Sequence, residues 1–240
     1  MPSGNPFLKN DTFDREHAFV AEQAMTADGA VNKAFLLLIL AVAGAAAVWR
    51  YPWSCMPLVV PAAIVGFILA MVTAFKVKWS PVTAPLYAAC EGLVLGGISM
   101  AFEKSFPGIV IQAVGLTFGT LFCMLFLYKT KIVRVTDRLR MGIVAATGAV
   151  ALVYIVDMVL GFFHHSVPFI HQGGLVGILF SLVVVGIAAF NLLLDFDMID
   201  QGSRAGAPKY MEWYAAFALM VTLVWLYLEI LRLLSKMRRD

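Results

Sequence analysis

Charge is what this sequence has least of. Only 14% of its 240 residues are Asp, Glu, Lys or Arg, while 61% are hydrophobic and the mean hydropathy is +0.86. Soluble domains carry about 25% charged and about 45–50% apolar residues. Apolar side chains this abundant cannot all be hidden in one small globule, so most soluble enzymes and disordered scaffolds are excluded and part of the solvent is lipid. Cysteine is sparse too. Cys55, Cys90 and Cys123 lie in or beside apolar runs at irregular spacing and form no CxxC pair, so they read as small core hydrophobes rather than a disulfide framework. An excess of either charge is also missing: 18 basic against 15 acidic residues give +3, too even for a nucleic-acid surface, and no nucleic-acid partner is expected. The zincin, nucleophile-elbow, P-loop and dinucleotide-binding motifs are absent, which points to a protein that is not an enzyme and needs no cofactor. Of the four histidines, His17 lies near the N-terminus; His164, His165 and His171 share one polar loop, where adjacent histidines make a poor metal site.

What the chain does have is long apolar runs. A hydrocarbon core about 30 Å thick needs roughly 20 apolar residues per helix. Seven runs qualify, approximately Ala34–Val48, Pro57–Phe75, Ala84–Phe102, Ile109–Tyr128, Met141–Phe163, Gly174–Leu194 and Trp213–Leu234. Backbone groups in lipid must be paired within the protein, and runs this long and rich in Leu, Val and Ala do so as helices, not as alternating barrel strands. The sequence therefore predicts an all-α integral membrane protein: residues 1–30 as a polar cytoplasmic arm without a cleavable signal pattern, and residues 31–240 as a single transmembrane helical domain. Small residues recur at four-residue spacing (Gly92 and Gly96, Gly115 and Gly119, Gly173 and Gly177), which favours close packing inside one monomer, with a dimer face as the alternative.

Basic residues set the orientation. With the N-terminus inside, the inner segments hold twelve lysines and arginines, five of them in the loop from Lys129 to Arg140, and the outer loops hold two, Arg50 and Lys104. Seven complete crossings put Arg232, Lys236, Arg238 and Arg239 outside, against the rule. A last segment that is short or re-entrant removes this anomaly.

The informative charges are acids inside apolar runs, where each is expensive and a functional candidate. They are Glu91, Asp157, Asp195, Asp197 and Glu229. Asn191 precedes Asp195 by four residues and shares its helical face; Asp197 lies roughly 200° around. Arg232 stands three residues after Glu229, within reach of an intrahelical ion pair, and Tyr154 is a potential donor to Asp157 at i−3. Glu103, Lys104 and Glu212 fall at interfaces and read as solvated. A carboxylate in low dielectric prefers its neutral form, and two close carboxylates share a proton and titrate as a unit. Calcium takes oxygen ligands, so an acid-lined interior suits a pH-sensitive cation path.

At these residues the sequence resembles the Bax inhibitor-1/YccA-like family, also called the transmembrane Bax inhibitor motif family, in a bacterial branch with an extended N-terminus. The resemblance rests on Asn5-Pro6-Phe7, on Ser80-Pro81-Val82-Thr83-Ala84-Pro85-Leu86-Tyr87 with Glu91-Gly92, and on Phe106-Pro107-Gly108-Ile109-Val110. It continues through Leu194-Asp195-Phe196-Asp197 and Ala207-Pro208-Lys209-Tyr210-Met211-Glu212-Trp213-Tyr214, and ends in Leu226-Tyr227-Leu228-Glu229-Ile230-Leu231-Arg232.

The resemblance implies a seven-helix bundle of the Bax inhibitor-1 type around a closed central pore, in a bacterial inner membrane. It implies a pH-sensitive calcium leak whose sensor is a proton-sharing pair of acids on the sixth and seventh helices. The sixth-helix acid matches Asp195 or, shifted by two, Asp197. The seventh matches Glu229, with Glu in place of Asp. Asp195 and Glu229 would also meet calcium transiently as it permeates; Glu91, Asp157 and Asn191 are candidate pore-lining residues. Members carry a basic residue near the end of the second helix, for which only Lys76 and Lys78 are close. A regulator that binds membrane partners, such as a protease, is the alternative function.

Overall fold

A computed structural model describes residues 24–162 and 174–239. The first 23 residues of the arm, His17 among them, and the loop carrying His164, His165 and His171 lie outside the described residues. Among those described are seven helices, each long and apolar enough to cross a membrane: α1 (Ala27–Arg50), α2 (Pro52–Phe75), α3 (Ser80–Ser105), α4 (Ile109–Lys129), α5 (Asp137–Phe162), α6 (Leu175–Arg204) and α7 (Met211–Met237). A 3₁₀ turn, Val77–Trp79, leads into α3. The bundle thus has a near end, where α1 starts, and a far end, where α7 stops.

Local chemistry sets the helix ends. Thr26 caps α1, its hydroxyl accepting Gly29 N–H at 3.0 Å. This start lies inside the stretch read as the arm. Pro52 opens α2, where a missing N–H is harmless. Gly108, at φ +80, allows the sharp turn into α4. The Glu103 carboxylate then accepts Gly108 N–H at 2.6 Å and Val110 N–H at 3.1 Å, so this residue caps a helix rather than being merely solvated.

The last helix is the hub. Within its spanning window 56% of residues are buried, against 11–33% in the other six, and it packs on α1, α3, α4 and α6. It is neither short nor re-entrant. Its 27 continuous residues extend about 40 Å, more than the hydrocarbon core requires. At its end Arg238 donates to Pro107 O at 2.8 Å, in the α3–α4 connection, and to Gln112 Oε1 at 2.9 Å, in the first turn of α4, both at the far end. The basic tail therefore stands at the opposite end from Thr26. The anomaly is accommodated by polar contacts there, not by a bent helix. The longest helix, α6, has 30 residues, about 45 Å, so one of its ends extends beyond the core.

The recurring glycines divide. Gly92 and Gly96 seat α3 directly on α1: a Cβ on Gly96 would stand 2.8 Å from Ala45 Cα, and one on Gly92 2.8 Å from Ala41 Cα. A Cβ on Gly115 or Gly119 would meet nothing within 4 Å. Gly177 is buried, and Gly173 lies outside the described residues. The cysteines are free, and Cys123 is exposed on the bundle surface rather than in the core.

Candidate functional site

The candidate acids occupy different levels of the bundle. Asp195 lies nine residues before the near end of α6, about 14 Å along the axis. The Thr222 hydroxyl of α7 is its side-chain neighbour. Asp195 Oδ2 is buried with no hydrogen-bond partner.

Glu229 belongs to the far end and is 1% exposed. Its Oε1 accepts Tyr154 O–H of α5 at 2.8 Å, Arg232 Nη1–H at 2.9 Å and Trp225 Nε1–H at 3.2 Å. Its Oε2 is buried without a partner. Seven residues of α7, about 10 Å, separate Thr222 from Glu229. The two acids expected to share a proton therefore sit on successive levels, each with its own neighbours.

Asp197 faces a different environment. Arg140 Nη2–H and Gln201 Nε2–H both donate to its Oδ2 at 2.6 Å, which ties the start of α5 to the near-end part of α6. The basic partner of a sixth-helix acid thus comes from α5. Lys76 instead lies 4.7 Å over the Trp79 ring, and neither it nor Lys78 makes an ion pair among the described residues. Asn191 donates to Thr147 Oγ1 of α5 at 2.8 Å and to Ile187 O at 2.9 Å, so it pins α5 to α6 one turn from Asp195.

Glu91 lies in the α2–α3 interface. Tyr87, one turn back, is its side-chain neighbour, and a Cβ on Gly66 of α2 would stand 3.8 Å from Oε2. Tyr87 in turn packs edge-on against Phe217 of α7 at 5.1 Å.

Asp157 lines a far-end cavity of about 220 Å³ together with Tyr154, Arg232, Lys236 and Arg239. Lys236 is 4% exposed and donates to Gly177 O at 3.0 Å and Ser181 Oγ at 2.8 Å. Among the described residues, the far end thus brings acids and cations together rather than acids alone.

A further acid is buried, not solvated. Glu212 at the start of α7 is fully enclosed. It is bound by Lys33 of α1, by Lys209 at 3.0 Å, and by the N–H and hydroxyl of Thr26 at 2.8 and 2.9 Å. With Met25 N–H donating to Ala207 O at 2.6 Å, this clasp fastens α1 to α7 at the near end. Four site contacts are not legible in the sequence: Thr222 and Thr147 carry no signal there, while Arg140 and Lys236 read only as orientation and tail charge. Each earns its place through another helix; only the Gly177 spacing hinted at the close approach that Lys236 uses.

A family profile described as Bax inhibitor 1 like matches residues 5–239. No curated protein and no solved structure gives a significant match. The profile spans nearly the whole chain, all seven helices and every acid described above, and on that ground the chain belongs to the Bax inhibitor 1-like family.

Proposed function

We propose that this protein is a pH-sensitive calcium leak held closed in the conformation described. The carrying observation is Asp195, an acid in the bundle interior with one buried oxygen that no donor reaches. Ionised in this packing, it would leave charge uncompensated in low dielectric, which is strongly unfavourable. The packing around it therefore responds to a proton. A calcium ion that takes oxygen ligands suits the same position once the helices separate.

Two ion-paired contacts bracket this acid: Arg140–Asp197 toward the near end and Tyr154–Glu229–Arg232 toward the far end. Asp195 and Glu229 act in series along α7 in this reading, as two sites rather than one shared-proton pair. The wealth of lysine and arginine at the near end supports a cytoplasmic N-terminus, and the resemblance to a bacterial branch supports an inner-membrane location.

The test is calcium flux into proteoliposomes of purified protein at several pH values, beside Asp195→Asn and Glu229→Gln. Flux that depends on pH in the wild type and is altered in both variants is expected. Unchanged flux and pH response in both variants would sink the mechanism.

A further inference from the structure

The helices leave a second feature that the leak does not use. Helices α1 and α4 both pack on α7, but they do not close on each other as a packed pair. Between them runs a groove of about 700 Å³ whose floor is α7. Its walls are almost wholly apolar, from Leu38 and Val42 of α1 to Val114 and Phe118 of α4, with Leu223 on the floor.

Three properties define its occupant. The first is depth. Leu38 to Arg50 covers 13 residues of α1, a rise of about 18 Å, and Arg50 stands at the far-end terminus of that helix. Half of a hydrocarbon core about 30 Å thick is about 15 Å, so the groove spans one leaflet and stops near mid-depth. The second is charge. Arg50 lines the mouth, is exposed and pairs with no carboxylate among the described residues; its one ring contact is with Tyr51 at 5.3 Å. Trp49 beside it marks the interfacial level, where amphipathic rings settle. The third is continuity. The groove reaches the buried helix α7 instead of ending at the outer surface, so an occupant touches Leu223 and the Tyr227 that shares a hydrogen bond of 2.7 Å with Ser99.

We infer that this groove is a phospholipid site, with one acyl chain along α7 between α1 and α4 and the lipid phosphate on Arg50. A guanidinium matches phosphate geometry and provides charge-assisted hydrogen bonds, while the apolar walls match the chain.

Native mass spectrometry of the full chain in mild detergent, with added dioleoyl-phosphatidylglycerol, tests this. The wild type is expected to retain one lipid per protein. Arg50→Ala is expected to weaken retention about tenfold, the size of one lost charge-assisted contact. Two groove fillers, Val114→Phe and Ala46→Leu, are expected to weaken it independently while keeping the wild-type helical circular dichroism. Either filler suffices if the other fails to fold. Equal retention in all folded variants overturns the site. So does loss with Arg50→Ala alone, which denotes surface charge, or a protein dimer that the fillers abolish, which assigns the groove to a second copy.

Discussion

The Tyr154 hydroxyl donates to Glu229 Oε1 at 2.8 Å and so joins α5, the most peripheral helix, to α7, the most buried. Arg232 shares the same oxygen at 2.9 Å and lies 5.0 Å from the Tyr154 ring. The tyrosine is thus held on both its polar and its aromatic side. Tyr154→Phe keeps the ring and removes the bond. A hydrogen bond to a charged group contributes about 1.5–3 kcal/mol, so the far-end closure should loosen by up to that amount. The expected outcome is a several-fold faster calcium leak with an intact helical spectrum. A leak equal to wild type removes this contact from the gate.

Asp195 gives the pH prediction its sign. In the closed bundle its Oδ2 has no donor, so ionisation leaves a buried charge with only the neutral Thr222 hydroxyl beside it and no cation among the described residues to balance it. Raising pH therefore destabilises the closed packing, and leak should increase with pH in the wild type. Asp195→Asn cannot ionise. Its leak should stay at the low-pH level of the wild type across the range, read as flux at each pH in the same vesicles. A decreasing leak with pH in the wild type reverses the assignment.

The spans were legible because lipid imposes one rule on every helix: about 20 apolar residues and no unpaired backbone. All seven appear where the apolar runs stand. The ends were less legible, since polar partners set them. Ala27 begins α1 because Thr26 caps it and Glu212 gathers Thr26 and Lys33, and Glu212 is 186 residues away in sequence from the threonine it binds. The acids were legible as anomalies, because a charge in lipid stands out against its neighbours. Their partners were not. Arg140 looked like an orientation signal and proves to hold Asp197, while Lys236 looked like tail charge and proves to be buried against α6. Partner choice depends on which helix faces which, and hydropathy carries no such information.

The glycine spacing makes a separable prediction about packing. Gly92 and Gly96 have the same four-residue spacing as Gly115 and Gly119, but only the first pair touches another backbone. Gly92→Ala and Gly96→Ala should each force α1 away from α3 and destabilise by about 1–3 kcal/mol, the range for overpacking. Gly115→Ala and Gly119→Ala should be neutral or slightly stabilising, since alanine is the better helix former and nothing obstructs its Cβ. Thermal unfolding in detergent, followed by circular dichroism, separates the two pairs. Equal destabilisation by Gly115→Ala would reveal a packed neighbour on that face, such as a second copy.

The Arg140–Asp197 contact should behave as a charge pair, and its surroundings limit its strength. The Arg140 side chain is 43% exposed and that of Asp197 14%, so solvent screens the interaction and about 1 kcal/mol or less is available. Arg140→Ala and Asp197→Ala should each raise the leak modestly at low salt, and the difference from wild type should shrink in high salt, where exposed charges are screened. The double variant separates the pair from its parts: if both residues act through this contact, the two effects do not add, and the double variant leaks no faster than the worse single one. Gln201 also donates to Asp197 at 2.6 Å, which gives the cycle an internal control. Gln201→Ala leaves the ion pair in place, so its leak should remain close to wild type and nearly independent of salt. Additive effects of Arg140→Ala and Asp197→Ala would mean that each residue acts elsewhere, and the near-end contact would lose its role in closing the bundle.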